Sequence, residues 1–373
     1  MNVPKLRFKE FKNDWSPKNL SEVVAFSKGN SLSKSDLDEQ GSYPCILYGE
    51  LYTKYHEVIR KVFSKTNYIS DNIVKSKYGD ILIPASGETP IDISTSSCIL
   101  LDNVLLGGDI NILSPKNCDG RFISYMISNN KRKTIARVAQ GHSIVHLYSE
   151  NLKKVNLDIP LLSEQKKIAD MLELLDKKIE LQTKKIESLK LFKKGLLKCE
   201  YNKIKNKNLS QLDNIAQIYQ PQTLSQKQLK KGGYPVFGAN GIIGFNSNFN
   251  HKLPQITISC RGENSGSINK TPEYCWINGN SMVINVDNNP NINKDYLKLI
   301  LESQNLKYLI SGSGQPQIIR FDIAKHKIPI ISIDEQLIYI KKFNLLDSKL
   351  LLEISELKKL NLLKKGLMQN MFI

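Results

Sequence analysis

A heptad pattern that occurs twice constrains this chain more than any other feature. From Ser163 to Glu200, apolar residues fall at Ile168, Leu172, Leu175, Ile179, Ile186 and Leu189, in steps of four, three, four, seven and three. That is the seam of a long helix able to pair with another, broken once by polar Gln182. No Pro or Gly interrupts it before Gly195, Ser163 is placed to cap its start, and Pro160 lies just outside. Between Asp334 and Met371 the seam returns as Tyr339, Phe343, Leu346, Leu350, Leu357 and Leu360, with polar Glu353 where Gln182 stood. Glu164-Gln165 recurs as Glu335-Gln336, and Leu174-Leu175-Asp176 as Leu345-Leu346-Asp347. Lys193-Lys194-Gly195-Leu196 recurs as Lys364-Lys365-Gly366-Leu367, and all three motifs share one offset of 171 positions. An Ile-Pro pair leads into each copy, Ile159-Pro160 and Ile328-Pro329. The chain is a duplicated unit, a globular part followed by a long helix, used twice.

This divides the 373 residues into a globular part over 1–157, a helix over 158–201, a second globular part over 202–327 and a second helix over 328–373. The expected class is α+β: two tandem α/β domains, each followed by a long helix, the helices pairing as an antiparallel coiled coil. The globular parts echo each other only in framework. Asn19-Leu20-Ser21 is echoed by Asn208-Leu209-Ser210, and Ser42-Tyr43-Pro44-Cys45 by Gly233-Tyr234-Pro235-Val236. The buried-strand run Ile81-Leu82-Ile83-Pro84 is echoed by Ile256-Thr257-Ile258-Ser259. Ile99 to Leu106 reads as a further strand, and Arg121 to Ile135 has helical spacing, with Tyr296 to Leu309 as its counterpart. One element has kept one job, while the other has acquired two different targets.

Chemistry is conspicuous by what the motifs exclude. There is no G-x-x-x-x-G-K-[ST] loop and no G-x-G-x-x-G after a strand. Asn288-Asn289-Pro290-Asn291 lacks the second Pro and the aromatic of an amino-methyltransferase loop. Glu356-Leu357-Lys358 has nuclease letters but lies on the heptad helix, where charged flanks are expected. His142 and His146 are spaced like helical metal ligands but fall in a strand and loop, and the six cysteines show no C-x-x-C pairing. They read as reduced thiols of a cytoplasmic protein. The N-terminus is charged throughout and no apolar run could cross a membrane. We expect no catalytic constellation and no bound metal. The formal net charge of +17 points to a polyanion partner, most simply nucleic acid.

Two pairs of Gly-polar loops recur at matching places. One pair comprises Ser86-Gly87-Glu88-Thr89 and Arg261-Gly262-Glu263-Asn264; the other comprises Gln140-Gly141-His142-Ser143 and Gly314-Gln315-Pro316-Gln317. Base-edge readout needs amide, hydroxyl and guanidinium groups on backbone that can approach a groove closely, and these loops supply them. Arg132, Lys133 and Arg137 are candidates for nearby phosphates. A single loop of this kind is an ordinary turn; its recurrence in both halves argues for a shared binding role. About 36 helical residues span roughly 54 Å. An antiparallel pair of such helices would separate two readers by about one and a half turns of DNA.

With these residues in view, the chain resembles the specificity subunit of type I restriction-modification systems over essentially its whole length. The lead-in Pro4-Lys5-Leu6-Arg7-Phe8, with Phe11 and Trp15 after it, is similar to that family's N-terminus. The duplicated Ile-Pro, Glu-Gln, Leu-Leu-Asp and Lys-Lys-Gly-Leu set carries the likeness. The resemblance implies that each half reads one part of an asymmetric, bipartite site on double-stranded DNA across an unread gap. It further implies that the helices dock two methyltransferase subunits, which bring S-adenosylmethionine and methylate adenine, and that motor-nuclease subunits join for cleavage. The chain itself would bind no cofactor and catalyse nothing. The alternatives are a stand-alone DNA-binding or DNA-modifying protein without such partners, and a coiled-coil scaffold serving only assembly.

Overall fold

The computed structural model describes residues 3–141, 144–262, 264–312 and 316–373. They form two compact units: Met1–Gln182 together with Glu356–Ile373, and Thr183–Ser355. Each long helix, Leu162–Ile204 and Ile333–Asn370, contributes one segment to each unit.

The first unit is built on a five-stranded sheet, ordered Val24–Lys28, Ile110–Pro115, Ile81–Pro84, Ser97–Ile99, Val58–Ile59. Its neighbours are antiparallel except the last pair. Every residue of Ile81-Leu82-Ile83-Pro84 is buried, as a strand covered on both faces requires. A second sheet carries Tyr43–Ile46 between Ser64–Thr66 and Leu105–Leu106. The expected single strand over Ile99 to Leu106 is therefore two strands in different sheets; between them Asn103 turns the chain at φ 63°.

The second unit repeats the plan. Gln217–Tyr219, Ser281–Asn285, Ile256–Ser259 and Ile268–Lys270 form a four-stranded sheet in that order. Beside it, Tyr234–Gly238 lies between Gly241–Asn246 and Trp276–Ile277. In both units the strand opening with Tyr-Pro runs parallel to a two-residue strand from far along the chain, with Cys45 opposite Leu105 and Val236 opposite Trp276.

Each globular part is closed by its own ends. Ser16–Asn19 pairs antiparallel with Asn156–Ile159, and Leu209–Gln211 with Lys327–Pro329. The Ile-Pro pairs thus finish the closing strand, a position where Pro removes no needed donor, and the long helices start just beyond, at Leu162 and Ile333. Ser163 falls inside the first turn, whereas at the second helix Ser332 and Glu335 form a reciprocal cap. The echo of Asn19-Leu20-Ser21 is displaced by three residues. Leu20 opens a helical turn and donates its N–H to Val155 O at 2.9 Å, and the residue that does the same is Leu212, to His326 O at 3.0 Å.

The repeated glutamines tie the helices to the domains. Gln165 accepts from Asp119 N at 3.0 Å and donates to Pro160 O at 2.8 Å. Gln336 accepts from Asn293 N at 2.8 Å and donates to Asn291 O and Ile331 O, both at 2.9 Å. Asp119 and Asn293 are the N-caps of Gly120–Met126 and Lys294–Ser303, so each glutamine fixes a domain helix at its cap. The helix at Gly120 covers the expected Arg121 to Ile135, passing through a π-helical turn at Ile127–Lys131 into Arg132–Val138.

Of the seam, Ile168, Leu172, Leu175 and Leu360 are buried in the first unit, and Ile179 and Leu357 are half-buried. In the second, Ile186, Tyr339 and Phe343 are buried, and Leu189, Leu346 and Leu350 are half-buried. Ion pairs in the second unit join Lys185 to Glu353, Lys193 to Asp347 and Glu200 to Lys342. The numbers rise along one helix as they fall along the other, so these segments run antiparallel. Glu353, the polar break in the seam, is satisfied by Lys185 at 2.7 Å.

Candidate nucleic-acid interface

The structure brings the Gly-polar loops of each unit together. In the second unit Arg261 and Gln317 face each other across an antiparallel bridge. Gly262 N donates to Pro316 O and Ile318 N to Cys260 O, both at 3.0 Å. Ser311 and Gln317 exchange backbone hydrogen bonds of 2.8 and 2.9 Å. In the first unit Ser86–Gly87 pairs with Val145–His146, and Gln140 and His146 exchange bonds of 2.9 and 2.7 Å. Gln140 and His146 lie 171 positions before Ser311 and Gln317, so the offset of the helices extends into these loops. Gly141 and Gly312 occupy the same place in the loops and both have positive φ, 120° and 91°, a conformation that strains other residues.

The candidate residues fall into distinct positions. Gln140, Gly141, Arg261, Gly262, Asn264 and Gln317 are exposed at the two junctions. Glu88 is exposed beside the first, whereas Ser86 and Gly87 are buried; the Ser86 hydroxyl donates to Asp109 at 3.0 Å, and a Cβ on Gly87 would strike Ile93. Those two frame the loop. Lys133 and Arg137 are exposed on one helix, while the Arg132 guanidinium donates to Ile91 O at 3.1 and 3.2 Å and steadies the loop that carries Glu88. His142, Ser143, Glu263, Gly314 and Gln315 lie outside the described residues.

Residues directly opposite in an antiparallel bridge project to the same face, so Arg261 and Gln317 form one surface. A guanidinium suits the acceptor pair on guanine and a carboxamide the donor–acceptor pair on adenine. The matching positions of the first unit carry Ser86 and His146, with exposed Ile144 and Tyr148 nearby and the His146 ring stacked 6.1 Å from Tyr148. The two junctions share a backbone and present different chemistry. Sequence reasoning gave His146 a structural or DNA-contacting role without placing it on this surface and missed Tyr148, because only the pairing with Ser86–Gly87 places them there.

Burial shapes two titrating groups, one in each unit. In the first unit Lys364 reaches Asp176 at 2.7 Å and Glu57 at 2.9 Å. Burial pulls its pKa down, but the two carboxylates outweigh it and hold the ammonium above its ordinary value. In the second, burial pushes His326 down to about 4. Its Nδ1 faces the Tyr308 hydroxyl at 2.5 Å and its Nε2 the Gln304 Oε1. Since a carboxamide oxygen only accepts, Nε2 carries the hydrogen and the ring is satisfied as a neutral group. Among the described residues there is no cluster of His, Cys, Asp or Glu able to hold a metal ion, and no helix is long and apolar enough to cross a membrane.

The described residues thus repeat one architecture, an α+β unit with long-helix segments and a pair of Gly-polar loops, twice. A family model described as type I restriction modification DNA specificity domain matches residues 12–191 and 204–365. The chain belongs to this family, and it is a DNA-specificity subunit of the type I restriction-modification kind. It is 22% identical over 405 residues to the type I restriction enzyme MjaVIII specificity subunit of Methanocaldococcus jannaschii, covering 95% of this chain and 91% of that one. It is 30% identical over 129 residues to the EcoprrI specificity subunit of Escherichia coli, across 34% of this chain and 31% of the other. The fold matches the crystal structure of the type I S subunit from M. genitalium with a TM-score of 0.65 at 20% identity, over 100% of this chain and 99% of that one. A chain from a structure of type I R-M complex assembly matches with a TM-score of 0.58 at 13% identity, over 95% and 96%. Specificity subunits are non-catalytic members of multisubunit assemblies on DNA, and this chain is one of them.

Proposed function

We propose that this chain reads an asymmetric, bipartite DNA site, one half at the Ser86/His146 junction and the other at Arg261/Gln317. One observation carries this reading: the two junctions share the same strand pairing, with Gln140 and His146 lying 171 positions before Ser311 and Gln317, but carry different side chains. Sameness of frame serves a common docking geometry on DNA, and difference of letters serves different base pairs. The helices, paired along their length as a coiled coil, set the unread gap.

The helices also dock two methyltransferase subunits. Leu174, Leu181, Leu362 and Leu363 of the first unit, and their repeats Leu345, Leu352, Leu191 and Phe192 of the second, are 52–71% exposed. Two equal sets of large apolar side chains left open to water fit two copies of one partner. S-adenosylmethionine belongs to those partners, not to this chain, and motor-nuclease subunits complete a cleaving assembly in the cytoplasm.

Co-expression with a type I methyltransferase subunit, followed by sequencing of methylated adenines, tests the whole reading. A single split motif with a fixed gap is the expected result. Methylation or cleavage by the purified chain alone, given cofactor and metal, would instead establish a stand-alone enzyme.

A further inference from the structure

The second unit holds a cluster of three exposed rings that the base-reading junction does not use. Phe249 meets Tyr234 and Tyr274 edge-on, with centroids 4.9 and 5.3 Å away, and the two tyrosines are 6.5 Å apart. Each ring residue keeps 38–40% of its surface open. Rings that pack on one another yet face water make a rigid apolar prominence rather than a core. Tyr274 also sits at φ 48°, a left-handed conformation that an aromatic residue rarely adopts. Backbone bonds hold it there: Tyr274 N donates to Lys252 O, and Cys275 and His251 exchange a reciprocal pair, all at 3.0 Å. Strain kept at an exposed ring has no explanation in core packing.

The charge around the rings is mostly positive. From Asn214 to Gly262 there is no Asp or Glu, and Lys227, Lys230, Lys231, Lys252 and Arg261 are all exposed. Lys230 bridges Phe245, next to the Asn246 that pairs with Tyr234, and the Lys252 backbone anchors Tyr274. Glu273 is the one carboxylate adjoining Tyr274 in the chain. The hairpin formed by Tyr234–Gly238 and Gly241–Asn246 starts at the rings and turns at Ala239, whose carbonyl accepts from Ser259, two residues before Arg261. Five strand residues cover roughly 16 Å. That hairpin length is comparable to about half a turn of DNA.

We infer that Tyr234, Phe249 and Tyr274, with Lys230 and Lys252, form a clamp on the sugar–phosphate backbone that grips DNA without reading it. The rings pack against the sugar edge, and the tyrosine hydroxyls and ammonium groups meet phosphates. A protein partner fits less well, because lysine is depleted at the cores of protein interfaces and here surrounds the rings. The inference rests on the DNA-recognition reading above.

The test uses the full chain in complex with its methyltransferase partner, measuring affinity for target and non-target duplexes against salt, together with the methylated motif. Tyr274→Gly is the informative variant, since glycine accepts the left-handed backbone and the fold should hold or gain in stability. We expect affinity to fall roughly tenfold on both duplexes, as for about 60 Å² of ring surface no longer taken out of water, with the motif unchanged. Lys230→Gln with Lys252→Gln should lower the salt slope by about two. Unchanged affinity and slope in both variants would overturn the clamp. So would a loss confined to target DNA with a changed motif, which would make the rings readers, or loss of the methyltransferase partner with DNA affinity per complex intact. A wild-type complex with no affinity for any duplex would overturn the DNA reading itself.

Discussion

The Lys364 ammonium lies 2.7 Å from the Asp176 carboxylate, and the same relationship recurs between Lys193 and Asp347 at 2.5 Å. Each pair joins a Lys-Lys-Gly-Leu motif on one helix to a Leu-Leu-Asp motif on the other. The duplication therefore repeats both ends of a reciprocal contact. The copies differ in surroundings: Lys364 also holds Glu57 and lies near the Tyr125 ring, while Asp347 is 38% exposed.

That difference predicts unequal costs. Lys364→Ala leaves two carboxylates facing each other in a largely dry site and should destabilise the first unit by about 3 kcal/mol. Lys193→Ala, at a more solvated pair, should cost about 1 kcal/mol or less in the second. Denaturant titration of each variant measures both. Glu57 sharpens the contrast with pH: burial raises its pKa, but Lys364 more than compensates and leaves it below its ordinary value. Its contribution is present above the unfolded carboxylate pKa and disappears as pH falls through the lower folded value, so the wild-type advantage over Lys364→Ala should shrink in acid.

The buried imidazole in the second unit gives a separate pH signature. His326 has a folded pKa of about 4 against an ordinary 6.5. Below pH 6.5 the unfolded chain takes up a proton that the folded chain refuses, so stability falls from there down to about pH 4 and is level above. The loss should approach about 3 kcal/mol, and His326→Asn should flatten the profile in that window. Urea midpoints between pH 4 and 7.5 decide it.

Gln336 satisfies one backbone N–H and two carbonyls while fully buried. Truncation to Ala leaves these groups unpaired and should cost about 2–3 kcal/mol. Hydrogen exchange at Asn293 and along Lys294–Ser303 should rise in the variant, because the cap it steadies loosens.

At the reading junction, Gln317→Ala and Arg261→Ala should each relax discrimination at about one base pair, by roughly 1–3 kcal/mol, in the same half of the site. Uniform weakening on every sequence would mark a backbone contact instead. Exchanging residues 202–327 for those of a relative should change that half and leave the other. The methylated motif reports all three outcomes.

On the helices, Leu181→Asp should weaken one partner site and Leu352→Asp the other, since the two residues are repeats of each other, 67% and 71% exposed. Each single variant should shift the assembly towards one methyltransferase subunit per chain, and the double variant should abolish assembly while leaving the chain folded. Native mass spectrometry counts the subunits.

The duplication, the long helices and the absence of catalytic motifs were all legible in the chain, because a heptad and a constant offset are local, periodic signals that survive without knowledge of any contact. Motif repetition also pointed to loops that the fold pairs within each unit, though not to what each residue in them does. Ser86 and Gly87 look like surface letters and are buried; Arg132 looks like a phosphate ligand and holds the Ile91 carbonyl. What only the tertiary structure decided is which distant segments meet. Ser86 faces His146, Arg261 faces Gln317, and Tyr234, Phe249 and Tyr274 gather although 40 residues of chain separate the first from the last. Such pairings depend on non-local strand register and on side-chain burial, which a one-dimensional pattern does not carry, whereas the helix seam is written in the spacing of the residues themselves.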